Sequence, residues 1–434
     1  MTEQAATAPA PMPLKQLAML AIPALIVGVA SALILWLLNT GAGLLEGVLW
    51  TSIPSSLGLP DDSRLWTFVV LTVIGAAVGL VVWQIPGHAG HDSATTELVA
   101  PPLPLKVIPG LALAVLLSLA GGVSLGPENP IIAINVAISV ALLGKLWPKI
   151  PPRLILMLAA AGTIGALFDT PVAAALIFTG MAASIPGPGA LFDKLFLPLV
   201  SAGAGAITMT LLGQESMAFP VPPYPQAHAI DLLTGTIIAA VAVLLGLAAA
   251  VALPRVHTLF HRMRNPLIYT TIGGLVLGLL GAIGGRITLF KGLSQTDQLL
   301  TNYAQYGFWT LLSFALIKVV ALVISASAGF RGGRIFPAVF IGAALGLAAH
   351  ALVPSIPVGL AVGCGAFGAT LAIARDGWVA LFIGVITSGG MTILPILCIV
   401  ILPTWLMVSR APLMLVTHPV DGPAAEPEPA GKGA

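Results

Sequence analysis

The stretch Gly126-Pro127-Glu128-Asn129-Pro130 places one carboxylate and two prolines inside a long apolar region. The 21 residues that precede Glu128 and the 16 that follow it carry no charge. A lone acid between such runs is costly in a membrane, and residues of this kind usually line a path for ions or protons. The prolines predict a break, with a new helix from about Asn129 or Pro130. The first N–H groups of that helix have no internal partner, so they offer a site to an anion or to the Glu128 carboxylate.

The composition of the whole chain is that of a membrane protein. Of its 434 residues, 58% are hydrophobic and only 8% are charged, and the mean hydropathy is +1.03. Several uncharged runs reach the roughly 20 residues that a helix needs to cross a bilayer. We therefore predict an all-α polytopic protein of the cell membrane. The net charge of +2 gives no footprint for nucleic-acid binding.

The second half of the chain repeats the pattern of the first. Gly333-Arg334-Ile335-Phe336-Pro337 matches the first break at an offset of 207 residues, and a glycine-rich helix follows each break. Paired interruptions at corresponding positions of two halves indicate a substrate site near the middle of the membrane. We divide the chain into a disordered N-terminus (1–13), a first membrane repeat (14–213), a connection (214–229), a second membrane repeat (230–409) and a disordered C-terminal tail (410–434).

Three segments carry a resemblance to a known family. The first break resembles the Gly-Arg/Lys-Glu-Gly-Pro motif of the CLC chloride channels and proton/chloride exchangers. Residues 329–338, which read Gly-Phe-Arg-Gly-Gly-Arg-Ile-Phe-Pro-Ala, resemble the second loop of that family, and Phe168-Asp169-Thr170-Pro171 resembles its Phe-Asn-x-Pro segment. The likeness covers roughly residues 65–410. The spelling of the first break, with the nearby Gly87-His88-Ala89-Gly90, is similar to a divergent bacterial branch of candidate ion-transport proteins.

The resemblance implies an inverted repeat of two halves with broken and short helices. It also implies a homodimer in the lipid bilayer of the bacterial inner membrane, with a chloride-conducting pore in each subunit and no cofactor. Glu128 falls on the gating position, where the carboxylate competes with the anion. The first anion loop of the family is not present as such, and by distance from Glu128 the turn at Gly87–His91 occupies its place. The candidate anion-binding residues are Gly126, Pro127, Asn129, Gly333, Arg334, Ile335 and Phe336, with His88, Ala89 and Gly90 from the turn.

The chain also departs from the family pattern. The inner glutamate of proton-coupled members falls here on Met181 or Gly180, and the last tyrosine, Tyr306, lies far from the position of the C-terminal tyrosine that holds the central ion. In the second loop, the phenylalanine lies one place later. These departures favour a channel or weakly coupled carrier for chloride. A proton-coupled exchanger and a fluoride-selective transporter remain the alternatives.

Other interpretations are open for the charged residues near these motifs. Glu128 could be a structural acid that pairs with a Lys or Arg. Arg331 and Arg334 could supply charges in a pore vestibule that attract anions, or they could be buried partners of Asp169 or Glu128. Lys318, within an apolar run, could line a vestibule, although snorkelling to the interface is favoured.

Two other interpretations concern a metal site and an enzyme. His257 and His261 have the i, i+4 spacing of metal ligands, but no third ligand lies near them in the sequence, so we expect no metal site. A membrane-embedded enzyme or assembly protein is the different class of function. No Ser/His/Asp, Cys/His or paired-acid set falls at membrane depth, and we therefore do not expect an enzyme.

Overall fold

The computed structural model describes residues 14–60, 62–183, 190–214, 219–222 and 224–416. These residues are almost entirely helical and contain no β-strand, only an isolated antiparallel bridge between Gly126 and Gly333. The all-α prediction is confirmed. The predicted disordered N-terminus (1–13) and residues 417–434 of the predicted tail lie outside the described residues.

The first half of the chain contains eight helices in the described residues. In chain order they are α1 (Leu14–Gly47), α2 (Ile53–Ser56), α3 (Arg64–Gln84), α4 (Ile108–Ala120), α5 (Glu128–Leu146), α6 (Pro152–Phe168), α7 (Pro171–Ala183) and α8 (Leu191–Leu211).

The second half contains eight more in the part of the chain that is described. They are α9 (Ala229–His261), α10 (Pro266–Gly284), α11 (Leu293–Thr301), α12 (Phe308–Ser327), α13 (Ile335–Leu352), α14 (Val358–Ala374), α15 (Gly377–Thr387) and α16 (Leu394–Ser409).

The predicted repeat is visible in the matching elements of the two halves. Helices α5 and α13 follow the two breaks, and α6 and α14 come next, each with 17 residues. Both of these helices end on a residue in the left-handed region, Asp169 (φ 53°) and Arg375 (φ 54°). The chain is thus an inverted repeat with broken and short helices, as the sequence predicts.

Nine helices among the described residues are long and apolar enough to cross a membrane. The first of these, Leu17–Ser56, is the longest, because α1 continues through a π-helical turn at Val48–Ser52 into α2. The apolar residues of this turn, such as the buried Trp50, outweigh the nearby Glu46.

Helices from different halves approach closely through glycines. A Cβ built on Gly274 of α10 would lie 2.9 Å from the Cα of Gly75 on α3, so any side chain here would force the helices apart. Small residues at such crossings let membrane helices gain close van der Waals contact, because lipid supplies no hydrophobic drive for their association. This crossing joins the two repeats around the breaks.

The segment after α16 packs onto the membrane part. Met414 is buried, and the N–H of Val416 donates to the carbonyl of Ala94 at 2.7 Å. The Arg375 guanidinium donates to the carbonyls of Ala411 and Pro412. The prediction of a disordered tail is therefore wrong for residues 410–416, since sequence composition alone did not reveal these backbone partners.

Candidate functional site

The two helix breaks meet at one point. The N–H of Gly126 donates to the carbonyl of Gly333 at 2.9 Å, and the N–H of Gly333 donates back at 2.6 Å. Since α5 begins at Glu128 and α13 at Ile335, this bridge brings the N-termini of both helices together. The amides of the two glycines are used in the bridge, so the prediction that they hold an anion is wrong.

Glu128 lies over this bridge and is fully buried. Its Oε1 accepts a hydrogen bond from the N–H of Phe336, in the first turn of α13, at 2.8 Å. Oε2 has no hydrogen-bond partner among the described residues. A Cβ on Gly333 would lie 2.7 Å from the carboxylate carbon, and one on Gly126 would lie 2.6 Å away. We call this place, formed by the two glycines and the Phe336 N–H, the Glu128 seat.

The Glu128 carboxylate has no cationic partner in the described part of the chain. No Lys or Arg nitrogen there lies within 4.0 Å of it. Its charge is instead balanced by the amide end of a helix, which carries a partial positive charge. The interpretation of Glu128 as a structural acid in an ion pair is therefore wrong.

A cavity of ≈ 380 Å³ reaches the seat from one side, and we call it the Lys291 cavity. Pro127 and Phe336 lie at its inner end. Lys291 is the cation of this cavity. Burial lowers the pKa of Lys291, while the charges of Glu128 and Glu46 oppose that shift. The acidic residues in its lining are Glu46, Asp169 and Asp297.

A second cavity, of ≈ 460 Å³, is also lined by residues of both breaks, and we call it the Arg375 cavity. Asn129 and Ile335 lie at its inner end. Pro127 and Asn129 flank Glu128 in the chain, yet Pro127 lines the Lys291 cavity and Asn129 lines the Arg375 cavity. Glu128 itself lines neither cavity, and its two neighbours in the chain line one each. The charged residues lining this cavity are Glu97, Arg334, Arg375 and Asp376.

Residues 74–408, which are more than half of the chain, match the family model described as voltage gated chloride channel. This chain belongs to the CLC family. The family is one of channels and transporters, and the chain is a multi-pass membrane protein with the architecture of a CLC-type anion transporter. The predicted family and fold class are thereby confirmed.

Bacterial relatives share almost the full length of this CLC chain. YfeO of Escherichia coli (strain K12 / DH10B), named as a candidate ion-transport protein, is 45% identical over 408 residues, which cover 93% of this chain and 96% of YfeO. YfeO of Shigella boydii serotype 4 (strain Sb227) gives the same identity and coverage.

Solved structures of the family share the fold. A CLC-type fluoride/proton antiporter superposes with a TM-score of 0.73 at 21% identity, covering 93% of this chain and 98% of that one. A slow cyanobacterial Cl⁻/H⁺ antiporter gives 0.74 at 17% identity, covering 92% and 95%.

The turn predicted as the first anion loop has another role in this CLC chain. The carbonyls of His88, Ala89 and Gly90 all accept hydrogen bonds from the guanidinium of Arg331, at 2.8 to 3.0 Å. The N–H groups of His88 and Gly90 are used within the turn. Carbonyl oxygens attract cations, so the assignment of this turn to anion binding is wrong.

Arg331 is correspondingly not a vestibule charge. It is 5% exposed, it lines a small cavity of ≈ 30 Å³ rather than the Lys291 cavity or the Arg375 cavity, and it also donates to the carbonyl of Gly329. Its hydrogen bonds go to backbone carbonyls rather than to Asp169 or Glu128. Its task is to fix the turn at 88–90 against the second break.

Arg334 and Asn129 connect the breaks to a segment that sequence reasoning missed. The Asn129 side-chain amide donates to the carbonyls of Thr96 and Glu97, and an Arg334 nitrogen donates to that of Thr96. The second Arg334 terminal nitrogen, Nη1, is buried without a partner among the described residues. The backbone carbonyls of residues 96–97 therefore hold the side chains of Asn129 and Arg334 at the helix breaks.

Lys318 lines neither the Lys291 cavity nor the Arg375 cavity, and its ammonium group does not extend to the membrane interface. It is fully buried, and its Nζ donates to the carbonyls of Thr288, Leu289 and Phe290 at 2.7 to 3.2 Å. Three donors thus meet three acceptors, which satisfies the ammonium group without a carboxylate. The role of this lysine is to hold the residues immediately before Lys291.

The position that carries the inner glutamate in proton-coupled members of the family falls here beside the Arg375 cavity. Gly180 lines the Arg375 cavity, and the side chain of Met181 lies outside the described residues. The segment Leu413–Leu415 lines the same cavity, so the chain after α16 contributes to it without a tyrosine.

The two histidines on α9 have a third neighbour after all. Asp92 lies with His257 and His261 so that their ligand atoms fall within 4.8 Å of one another. The expectation that no third ligand is near is therefore wrong. Burial disfavours the charged form of Asp92, but hydrogen bonds from both histidines and the nearby Arg331 outweigh it and hold the pKa of Asp92 well below its usual range.

Proposed function

We propose that this CLC chain carries small anions, chloride first, between the Lys291 cavity and the Arg375 cavity, and that Glu128 is the removable gate. The supporting observation is that the Glu128 carboxylate occupies the amide end of α13. A group held there by one backbone N–H marks a place where another anion would be held in the same way.

The seat binds weakly enough for the gate to move. Only one carboxylate oxygen is hydrogen-bonded, and a hydrogen bond to a charged group contributes about 1.5–3 kcal/mol. Conduction requires sites from which the ion leaves readily, and backbone amides meet this need better than a direct ion pair. Protonation of Glu128 removes its charge and leaves the amide end to the anion. We infer that acid activates the flux.

Two cations would assist the anion on either side of the gate. Lys291 is the one cation among the described residues that line a cavity with three acids, so attraction of an anion into this cavity would depend on it. On the other side, the unpartnered Nη1 of Arg334 offers a buried donor near the second break. Pro127, Ile335 and Phe336 would shape the constriction, and Asn129 would position it through its bonds to residues 96–97.

The proposal favours a channel or weakly coupled carrier, because Gly180 offers no side chain where proton-coupled relatives of the family carry a glutamate. The structural neighbours named above are antiporters, which keeps proton-coupled chloride or fluoride exchange as the second candidate. We further propose that the chain assembles as a homodimer in the bacterial inner membrane.

The experiment is anion efflux from liposomes that contain the purified protein, with chloride, fluoride and nitrate compared at pH 4.5 to 7.5. Wild-type flux should rise as the pH falls. Glu128→Gln should give high flux at every pH, because an amide does not titrate, and Glu128→Ala should behave in the same way. A matched acid-to-amide control is Asp62→Asn, which changes an exposed loop residue.

Two outcomes would contradict the gate. Glu128→Gln could keep the wild-type pH dependence, or Asp62→Asn could lose it. A pH-sensitive dye inside the same liposomes separates the two candidates: proton movement driven by a chloride gradient supports the exchanger, and its absence with rapid chloride flux supports the channel.

A further inference from the structure

The loop after α3 and the last turns of α9 bring three metal-ligating side chains together. The Nε2 of His257 lies 3.0 Å from the Oδ2 of Asp92, and the Nε2 of His261 lies 3.4 Å from the same oxygen. The two imidazole rings are stacked, with centroids 3.8 Å apart. Three ligand atoms therefore converge on one small volume.

The atoms of Asp92 and His261 that face away from that volume are already occupied. The Oδ1 of Asp92 accepts hydrogen bonds from the N–H groups of Ala94 and Thr95 and from the Thr95 hydroxyl. The Nδ1 of His261 lies 3.0 Å from the carbonyl of His257, an arrangement that places a proton on Nδ1, so an ion would bind at Nε2 in place of the proton that Nε2 shares with Asp92. Outer partners of this kind orient metal ligands and fix the histidine tautomer.

The spacing suits a tetrahedral ion. With bonds of about 2.0–2.1 Å, two ligands of such an ion are separated by about 3.4 Å. The separations of 3.0 and 3.4 Å are close to that value, so an ion would require only small side-chain movements. We propose that Asp92, His257 and His261 bind a divalent first-row transition-metal ion of the Zn²⁺ type, with the fourth position open to water.

The surroundings decide how tightly the ion is held and how it enters. His261 has a side chain that is 31% exposed, which gives access from solvent, while His257 and Asp92 are largely buried. Tyr269 packs against the ring of His261 at 4.7 Å. Arg331 is the neighbouring cation and opposes a divalent ion, but its hydrogen bonds go to backbone carbonyls, so it does not occupy the Oδ2 of Asp92, whose partners are the two imidazoles that would share the ion.

The site would connect the ion to the transport path. Asp92 precedes the residues whose carbonyls hold Asn129 and Arg334 at the helix breaks. A metal bound between Asp92 and α9 would fasten this loop to a membrane-spanning helix. The expected consequence is a more stable protein and a more rigid wall of the Arg375 cavity.

The test uses full-length protein in detergent, free of any histidine tag, titrated with Co²⁺ as a spectroscopic probe. Wild-type protein should bind one Co²⁺ per chain with visible absorption bands of tetrahedral cobalt, and Zn²⁺ should displace it. His261→Ala and Asp92→Asn should each weaken Co²⁺ binding by about tenfold or more. The matched control is His228→Ala, since His228 pairs with Asp231 at 3.4 Å but has no second histidine beside it.

Folding is checked separately by the elution profile and thermal midpoint of each variant without metal. A folded His261→Ala protein that loses the cobalt bands, while His228→Ala keeps them, supports the site. Wild-type protein that shows no tetrahedral bands, or bands that disappear equally in His228→Ala, overturns it. The readout does not involve anion flux, so it is independent of the gate at Glu128.

Discussion

Replacing Gly333 by alanine would test whether the Glu128 carboxylate closes the path. The Gly333 backbone does not lie in the left-handed region, so alanine fits its conformation. The new methyl group would overlap Oε2 of Glu128 and lie 2.7 Å from the carboxylate carbon and 3.0 Å from the Asn129 side-chain oxygen. Since the backbone is tied by the bridge to Gly126, the mobile carboxylate is the group that must leave. The substitution should therefore empty the Glu128 seat without touching Glu128.

The size of the effect follows from what the carboxylate loses. It gives up one charge-assisted hydrogen bond, to the N–H of Phe336, which contributes about 1.5–3 kcal/mol. Since about 1.4 kcal/mol corresponds to a tenfold change in an equilibrium constant, the open fraction at neutral pH should rise about 10- to 100-fold. The change with pH should shrink, because the carboxylate no longer occupies the seat in either protonation state.

The assay is chloride efflux from liposomes at pH 7.5 and pH 4.5, started by adding a potassium ionophore. Gly126→Ala is a second variant, since its methyl group would meet the same carboxylate from the other glycine. Gly144→Ala is the matched control, because it lies on the same helix as Glu128 with no atom within 4 Å of the added carbon. A double variant, Gly333→Ala with Glu128→Ala, shows whether the two changes act through one group.

Two results would refute this reasoning. Folded Gly333→Ala and Gly126→Ala proteins with the flux and pH response of wild type would mean that the seated carboxylate is not the barrier. A double variant much faster than Glu128→Ala alone would mean that the methyl group acts by another route. If the methyl group instead narrows the path, the anion flux of the double variant should be slower than that of Glu128→Ala alone.

Three further predictions concern lysines and an arginine. Lys318→Met should lower the free energy of unfolding by about 3 kcal/mol, because three buried carbonyls lose their donor, and Lys106→Met at an exposed position is the control in a thermal-unfolding experiment. Lys291→Met should slow the initial anion flux about tenfold at low salt and less at high salt, because the cation of the Lys291 cavity is lost. Equal slowing of the flux at all salt concentrations would argue against an electrostatic role of this lysine. Arg331→Lys should destabilise the protein by about 2–4 kcal/mol despite keeping the charge, because an ammonium cannot reach the same set of carbonyls; wild-type thermal stability in this variant would contradict the contacts described at the turn.

The sequence predicted the features whose signals are local. An acid between apolar runs, a proline two residues after it and a second Gly-x-x-x-Pro pattern 207 residues later are all readable without knowing what touches what. These signals were enough for the fold class, the repeat and the meeting of the two breaks. The helix after the first break begins at Glu128, one or two residues earlier than the predicted start at Asn129 or Pro130, since helix ends are set by contacts as well as by proline.

The residues that the sequence placed wrongly have partners that carry no sequence signal. Arg331 and Lys318 donate to backbone carbonyls, and any residue type provides a carbonyl. Asp92 is 165 residues from His257, so no spacing rule could join them. A search for buried cations without nearby acids would have marked Lys318 as a structural residue, but it could not have named the loop that Lys318 holds.

The pseudo-symmetry of the two breaks explains why one acid is enough for a gate. The offset that relates Gly126 to Gly333 places Ile335 at the position that corresponds to Glu128. The first repeat therefore supplies a carboxylate, and the second supplies a helix start with an apolar side chain and a free amide end. With acids in both repeats, two like charges would meet at the bridge and repel each other; with none, the amide end would stay open to anions at every pH. In the proposed mechanism, the difference between Glu128 and Ile335 at corresponding positions is therefore what would allow the protein to fill and vacate its own anion site.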